Sequence, residues 1–401
     1  MRNRLRLLTC LSLPCLSAGL TESLSLKSPA LSDRAAIGTL SVPRLGVGTI
    51  AWTPKDAEHK KRIEAIAARS KELGIDFFDT AERYGASPWS LIPAALAGVG
   101  LPVDSSYLGG DCESNLASWG AGGKVATKFT PTPWRQSSGD VVDACTQSAA
   151  RLGVQSLALY QLHMPDIIQP FSRLGFEQRK DEIYWDGLAE CYLSGKAKNV
   201  GVSNYGPTLL ERCHEHLAKR GVPLASNQIH LSLLYRRQGS MATLEKCNEL
   251  GVSCLAYYPL SMGLLTGKLA PSNMRDRTDA RGKDLLRYLE GGSGGTAGEI
   301  AVGGIRPLLS ELHSVAAAVG KTPAQVALNW VVCKGAIPIG GASKVQHVED
   351  NLGALGWRLS QEQQESLEAA ADSLPFEFNG CGFQTADSKF VGYGFEKWRL
   401  D

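Results

Sequence analysis

Short apolar runs alternate with amphipathic stretches along most of the chain. Residues 37–42 and 45–52 are extended pieces flanking Pro43, as in a hairpin. Residues 57–73 carry Ile63, Ile66, Ala67 and Leu73 on one face at helical spacing, and Gly74 ends the helix. Residues 75–79 then read as a buried strand. The same order returns as strands over 125–129, 157–162, 199–202, 224–229 and 252–258. Between them lie helices over 139–152, 185–193, 207–218 and 243–250. Two further helices, 305–319 and 323–332, precede a strand at 336–339 and a helix from Val345. Pro323 follows Thr322 as a first helical residue follows its cap. The strands are continuous apolar runs, as when both faces are buried, and their connections are short. Counted from Leu45 there are eight. The fold class is therefore α/β, a (β/α)8 TIM barrel over residues 37–374, with an N-terminal β-hairpin and long rim loops. Residues 86–123 read as an irregular excursion, 261–304 as a second long loop, and 375–401 as an aromatic, Gly-rich tail without a clear element.

Composition adds exclusions. The 401 residues are 43% hydrophobic, with 42 basic and 40 acidic side chains and a net charge of +2. That balance gives no pull toward nucleic acid or an anionic membrane. No run of 18 apolar residues stands as a membrane span, so no membrane insertion is expected. None of the ten cysteines forms a CxxC pair, and most fall within helical or strand patterns. They read as free buried thiols, which suits a reducing compartment. No metal site is expected. The N-terminus differs: Arg2, Arg4 and Arg6 open a Leu-, Ser- and Cys-rich stretch with no acid before Glu22. Residues 1–36 read as a targeting or disordered segment, suited to an organelle transit peptide or a secretory signal.

The chemistry collects where the strands end. In order these positions are Thr49, Asp79, Lys128, His163, Ser203 with Asn204, Gln228, Tyr257, and Gly341 to Lys344. Almost all are polar although each follows an apolar strand, and strand C-termini are where a parallel barrel assembles its site. Tyr84 lies five residues after Asp79. A free phenol has a pKa of about 10 and is a poor acid at neutral pH. A neighbouring ammonium lowers it. Asp79 would hold Lys128 charged, and His163 would orient a substrate oxygen. No Rossmann fingerprint, P-loop or HExxH motif is present. The small residues at 341–343 lead into a helix whose first turns carry Lys344 and His347, with Asp350 and Asn351 a turn later. That is a candidate phosphate site at a helix N-terminus.

These residues resemble the aldo-keto reductase family from about residue 38 to 372. The motifs stand as Leu-Gly-Val-Gly-Thr at 45–49, Phe-Asp-Thr-Ala-Glu-Arg-Tyr-Gly at 78–85 and Val-Ala-Thr-Lys-Phe at 125–129. They continue as Leu-Tyr-Gln-Leu-His-Met-Pro-Asp at 159–166, Val-Gly-Val-Ser-Asn-Tyr at 200–205, Ser-Asn-Gln at 226–228 and Ala-Tyr-Tyr-Pro-Leu at 256–260. Leu-Leu-Thr-Gly-Lys at 264–268, Thr-Pro-Ala-Gln-Val-Ala-Leu-Asn-Trp at 322–330 and Ile-Pro-Ile-Gly-Gly-Ala-Ser-Lys at 337–344 complete the set. The look is nearest to plastid members from plants and algae.

The resemblance implies an NADP(H)-dependent oxidoreductase that reduces small-molecule aldehydes and ketones in a plastid, with the secretory pathway or mitochondrion as alternatives. It implies a catalytic tetrad of Asp79, Tyr84, Lys128 and His163, with Tyr84 as general acid and Lys128 lowering its pKa. Ser203, Asn204 and Gln228 would meet the nicotinamide amide and Tyr257 would stack on its ring. Thr49 and Gly341 would line the same cleft. Pro259, Leu260, Met262 and Lys268 would follow the pyrophosphate, and Ser343, Lys344, His347, Asp350 and Asn351 the adenosine end. The chain departs from the pattern with an insertion after Tyr84, with Tyr258 where Ser is usual, with Gly340 where Pro is usual, and with His347 for Gln or Arg. The second reading is a nucleotide-sensing binding module like the potassium-channel β subunits. In those the position of His163 is commonly Asn. Whether the chain works as a monomer or a homo-oligomer is open.

Overall fold

The computed structural model describes residues 32–85, 111–120, 122–166, 180–236, 239–275, 280–292, 302–376 and 378. The N-terminal stretch up to residue 31, residues 86–110 of the excursion expected over 86–123 and nearly all of the C-terminal tail lie outside the described residues. Strands β1 (Arg34–Ile37) and β2 (Leu40–Pro43) form an antiparallel hairpin, with Ile37 opposite Leu40. The turn is thus at residues 38–39 and not at Pro43, and β1 begins within the stretch expected to precede the barrel. Strand β3 (Gly46–Gly48) opens the barrel proper, followed by α1 (Ala57–Glu72) and β4 (Phe78–Asp79). The excursion before β5 is not wholly irregular, because α2 (Asp111–Ser118) buries Cys112, Glu113 and Leu116 against the barrel wall.

The regular alternation then runs β5 (Val125–Phe129), α3 (Ser138–Leu152), β6 (Leu159–Leu162), α4 (Asp181–Leu193), β7 (Val200–Ser203), α5 (Pro207–Ala218), β8 (Leu224–His230), α6 (Ser240–Glu249) and β9 (Ser253–Tyr257). The long segment after β9 holds a 3-10 turn (Ser261–Thr266), α7 (Pro271–Met274) and α8 (Ala280–Glu290), where the sequence pattern predicts a loop. Helices α9 (Arg306–Val319) and α10 (Pro323–Cys333) lead to β10 (Ile337–Gly341), α11 (Val345–Leu352) and α12 (Gln361–Asp372). Thr322 caps α10 in a reciprocal box with Gln325, as its sequence position predicts. Ser360 and Gln363 do the same for α12, which the apolar pattern does not announce.

Strands β3 to β10 close an eight-stranded barrel in which every pair is parallel. Ile339 of β10 pairs with Gly46 of β3 across the seam. A Cβ on Gly46 would lie 2.7 Å from the Ile339 side chain and 2.8 Å from the Phe77 ring, so this approach requires a glycine. Inside the barrel, Phe77, Ala126, Leu159, Leu255 and Ile337 pack on Ile37 and Val42 of the hairpin, which stoppers the N-terminal end. Asn199 secures the stopper. Its Oδ1 accepts from the Thr39 backbone N–H at 2.8 Å, and its Nδ2 donates to the Ala158 carbonyl at 3.0 Å.

Candidate active site

Inward-facing side chains recur every second residue along a strand. Phe77 belongs to the stopper, and Asp79 therefore faces the opposite end. Lys128 reaches the same point from β5 and is fully buried. Its Nζ donates to Asp79 Oδ2 at 2.7 Å, to the Thr80 carbonyl at 2.8 Å and to the Tyr84 hydroxyl at 3.5 Å. Gln228 Nε2 donates to the other carboxylate oxygen, Asp79 Oδ1, at 2.7 Å. A buried carboxylate with both oxygens engaged is held in one orientation. The Tyr84 and His163 rings meet edge-on with centroids 5.7 Å apart. The four residues expected to act together therefore converge, despite the insertion that follows Tyr84.

The electrostatics differ from the expectation in one respect. Burial, and then the charge of Asp79, push the Tyr84 phenol well above its usual value. The ammonium does not reverse this, because its two short hydrogen bonds go to Asp79 and the Thr80 carbonyl and the phenol is its most distant partner. Burial also lowers the Lys128 pKa against the opposing pull of Asp79. His163 is pushed down to about 3 by burial and by the positive charges of Lys128 and Arg83. It stays a neutral imidazole at neutral pH, with Thr130 Oγ1 3.5 Å from its Nδ1.

Two supporting residues escaped the sequence reading. Glu82, nearly buried, accepts from the Thr130 N–H at 2.6 Å and takes two hydrogen bonds from the Arg135 guanidinium. It clamps the turn carrying Tyr84 to the end of β5. A charged residue beside a loop tyrosine reads as solvated surface, so only its place within the 78–85 motif could have marked it. Behind the barrel wall Glu113 of α2 accepts from Thr127 Oγ1 at 2.5 Å and from Arg151 Nε at 2.6 Å. It fixes the chain where it returns from the insertion.

A second cluster borders the first. Asn204 has φ +64°, in the left-handed region, and its Nδ2 donates to the His163 carbonyl at 3.0 Å and to Ser203 Oγ at 3.1 Å. Its Oδ1 accepts from the Tyr257 hydroxyl at 2.8 Å, and Ser203 Oγ donates to the Gln228 carbonyl. Thr49 Oγ1 donates to the Asp79 carbonyl at 3.0 Å and ties β3 to β4. Among the described residues the only non-glycines at positive φ are Asn204, Tyr258, Ser261 and Met262. Strained backbone of this kind gathers at functional sites. Here it bends the chain through Pro259, Leu260 and Met262, the turn that the family resemblance would set along a pyrophosphate.

Further along the rim, Lys268 Nζ lies 2.9 Å from Asp350 Oδ2, bridging the segment after β9 to α11. Burial pushes the Asp350 carboxyl up, but the hydrogen bonds from Lys268 and Gln346 and the nearby charge of Lys268 together hold it below its usual value. The His347 pKa is lowered by burial and then by the charges of Lys268 and Lys344. Its Nδ1 is 3.3 Å from both the Ser343 N–H and the Ser343 hydroxyl. Asn351 turns inward, and a Cβ on Gly340 would lie 2.9 Å from its Nδ2, which accounts for glycine there. Gly341 is exposed, and a Cβ on it would meet nothing. Two lysines and a histidine around a helix N-terminus suit a phosphate, and a half-buried Tyr257 ring suits a flat heterocycle, so these residues fit an anionic dinucleotide.

A buried ion pair, a phenol and a neutral imidazole add little that packing alone would select, and they occupy the C-terminal mouth of a closed barrel. The molecule is thus one of the parallel βα-barrel enzymes, which keep their chemistry at that mouth. Comparison with known proteins is more specific. The model of the aldo/keto reductase family matches residues 44–372, and the chain belongs to that family of oxidoreductases. The chain is 36% identical over 362 residues to the chloroplastic pyridoxal reductase of Arabidopsis thaliana, covering 88% of this chain and 90% of the relative. Among solved structures, the glycerol dehydrogenase from Gluconobacter oxydans superposes with a TM-score of 0.64 at 22% identity, covering 86% of this chain and 96% of that one. The Bombyx mori aldo-keto reductase in complex with NADP gives 0.57 at 18% identity over 84% and 92% of the two chains. These two share the fold. Among the described residues there is no helix long and apolar enough to cross a membrane and no group of His, Cys, Asp or Glu placed to hold a metal ion.

Proposed function

We propose that the chain reduces aldehydes or ketones to alcohols with NADPH, with Tyr84 as the proton donor. The observation that carries this reading is the fully buried Lys128, whose ammonium touches both Asp79 and the Tyr84 hydroxyl. Tyr84 begins the reaction protonated, as a donor must. As charge develops on the substrate oxygen the phenol gives up its proton, and the ammonium stabilises the phenolate left behind. Asp79 keeps Lys128 charged and aimed. Neutral His163, edge-on to Tyr84, hydrogen-bonds and orients the substrate carbonyl. NADPH, when bound, supplies the hydride.

Ser203, Asn204, Gln228 and Tyr257 would hold the nicotinamide end. The turn of Pro259, Leu260 and Met262 with Lys268 would hold the pyrophosphate. Ser343, Lys344, His347, Asp350 and Asn351, with Gly341 and Thr49 beside them, would complete the site. The cations around the start of α11 favour NADPH over NADH. The relative named chloroplastic pyridoxal reductase supports an aldehyde substrate and a plastid location, with the N-terminal segment as the address.

The test is NADPH oxidation by the purified full chain over a panel of aldehydes and ketones that includes pyridoxal. Turnover that disappears in Tyr84→Phe is expected. Tight NADPH binding without turnover on any carbonyl, or turnover unaffected by the substitution, would overturn the assignment.

A further inference from the structure

Tyr257 is backed by a column of rings. Side chains of Ser226, Gln228 and His230 share the inward face of β8 by the two-residue period. Gln228 engages Asp79, so His230 stands one layer nearer the mouth. It is fully buried. Its ring lies 3.8 Å from that of Tyr235 and within 9° of parallel, and 5.2 Å from that of Tyr257 at 22°. Tyr258 meets Tyr257 edge-on at 5.4 Å and His230 edge-on at 5.7 Å. Phe378 closes on His230 from the start of the tail, edge-on at 6.2 Å. Tyr257 is thus held on one face by His230, at an edge by Tyr258, and at its hydroxyl by Asn204 Oδ1. It still remains partly exposed.

We propose that His230 is a positioning residue for the cofactor's redox ring, setting the plane of Tyr257 from behind. The inference rests on the reading that Tyr257 seats the nicotinamide. The second torsion of a tyrosine is broad, so packing must choose the ring plane. A flat neighbour stacked on one face makes that choice before any ligand arrives, and preorganisation of this kind appears as affinity. An offset aromatic pair carries up to about tenfold in an equilibrium constant. Residues 226–228 draw attention in the sequence through their match to a motif. His230, two positions on, has no chemical role in the tetrad, and only the ring geometry gives it one.

The experiment compares His230→Phe with His230→Leu in the full chain. Both fill the space, and only phenylalanine is flat. NADPH affinity is read by the fluorescence of the bound nicotinamide and by energy transfer from tryptophan, with melting temperature measured in parallel. His230→Leu is expected to weaken NADPH binding by about tenfold and to shift the bound-nicotinamide emission. His230→Phe should stay near the wild type in both, at a similar melting temperature. Equal affinities and spectra in the two variants would overturn the proposal, since a filler role does not distinguish them. Tyr257→Ala separates the layers. If it weakens NADPH while the His230 variants do not differ, only the role of His230 falls. If Tyr257→Ala binds NADPH as the wild type does, the seating of the nicotinamide falls, and the role of His230 with it.

Discussion

The two ends of the barrel interior are built on the same strands and differ in kind. At the stoppered end Phe77, Ala126, Leu159 and Leu255 make an apolar plug with Ile37 and Val42. One inward step of two residues along each strand, about 7 Å, replaces them with Asp79, Lys128, Gln161 and Tyr257. Folding stability and chemistry are therefore stacked within single strands rather than assigned to separate elements. The apolar layer resists substitution because it is close-packed, and the polar layer because each charge is paired. A defect in the plug should leave the chemistry intact and loss of the phenol should leave the stability intact, whereas breaking the buried ion pair should cost both.

The largest break expected is chemical. Tyr84→Phe should lower kcat by up to about 10⁴-fold, the upper range for a lost proton donor, with an unchanged melting temperature. Steady-state NADPH oxidation beside a thermal melt checks it. Phe77→Ala is the converse. It should cost about 4 kcal/mol of stability by leaving a cavity in the plug, while the folded fraction keeps its kcat, as read from urea unfolding and active-site-normalised turnover. Lys128→Met should disturb both ends of the comparison. Turnover falls about 100-fold, and stability falls by about 3 kcal/mol because Asp79 is left buried without its cation. Adding Asp79→Asn should return the stability and not the activity, and recovery of both would refute the layered arrangement.

The smallest effect is a pH dependence. His163 is held at about 3 in the folded chain, against 6.5 for an unperturbed histidine. Between those values the unfolded chain binds the proton and the folded chain does not. Stability associated with His163 is thus complete above about pH 6.5 and is lost as pH falls toward 3. Melting temperature should fall less steeply from about pH 7 to about pH 5 in His163→Gln than in the wild type. Parallel slopes would mean that His163 does not titrate as its burial implies.

Much of this was legible in the sequence for a physical reason. A parallel strand buried on both faces is an unbroken apolar run, and a polar residue at its end stands out, so Asp79, Lys128, His163 and Gln228 could be picked out individually. What the sequence hid was geometry without a periodic signature. Residues 37–42 look like one extended piece, although the chain reverses at Gly38 and Thr39. Helix α2 buries only Cys112, Glu113 and Leu116, too few to draw a stripe. The left-handed Asn204 belongs to a residue type that tolerates that region, and nothing local requires it there. The direction of the Tyr84 pKa is hidden from the sequence because it follows from how deeply the phenol is buried and how near Asp79 comes to it.

The seam between Gly46 and Ile339 has a consequence for how the chain is made. Trp52 Nε1 donates to the Ala342 carbonyl at 3.0 Å across 290 positions of sequence and spans the same join. The first strand of the ring has no neighbour on one side until the last has been synthesised. A ribosome must therefore release nearly the whole polypeptide before the ring can shut. Until then both open edges display unpaired backbone, a template for wrong partners. Closure is also the slowest kind of contact to form, since it joins the most distant parts of the chain. A nascent chain that stopped before β10 (Ile337–Gly341) would keep every residue of the tetrad and still lack a molecule to hold them.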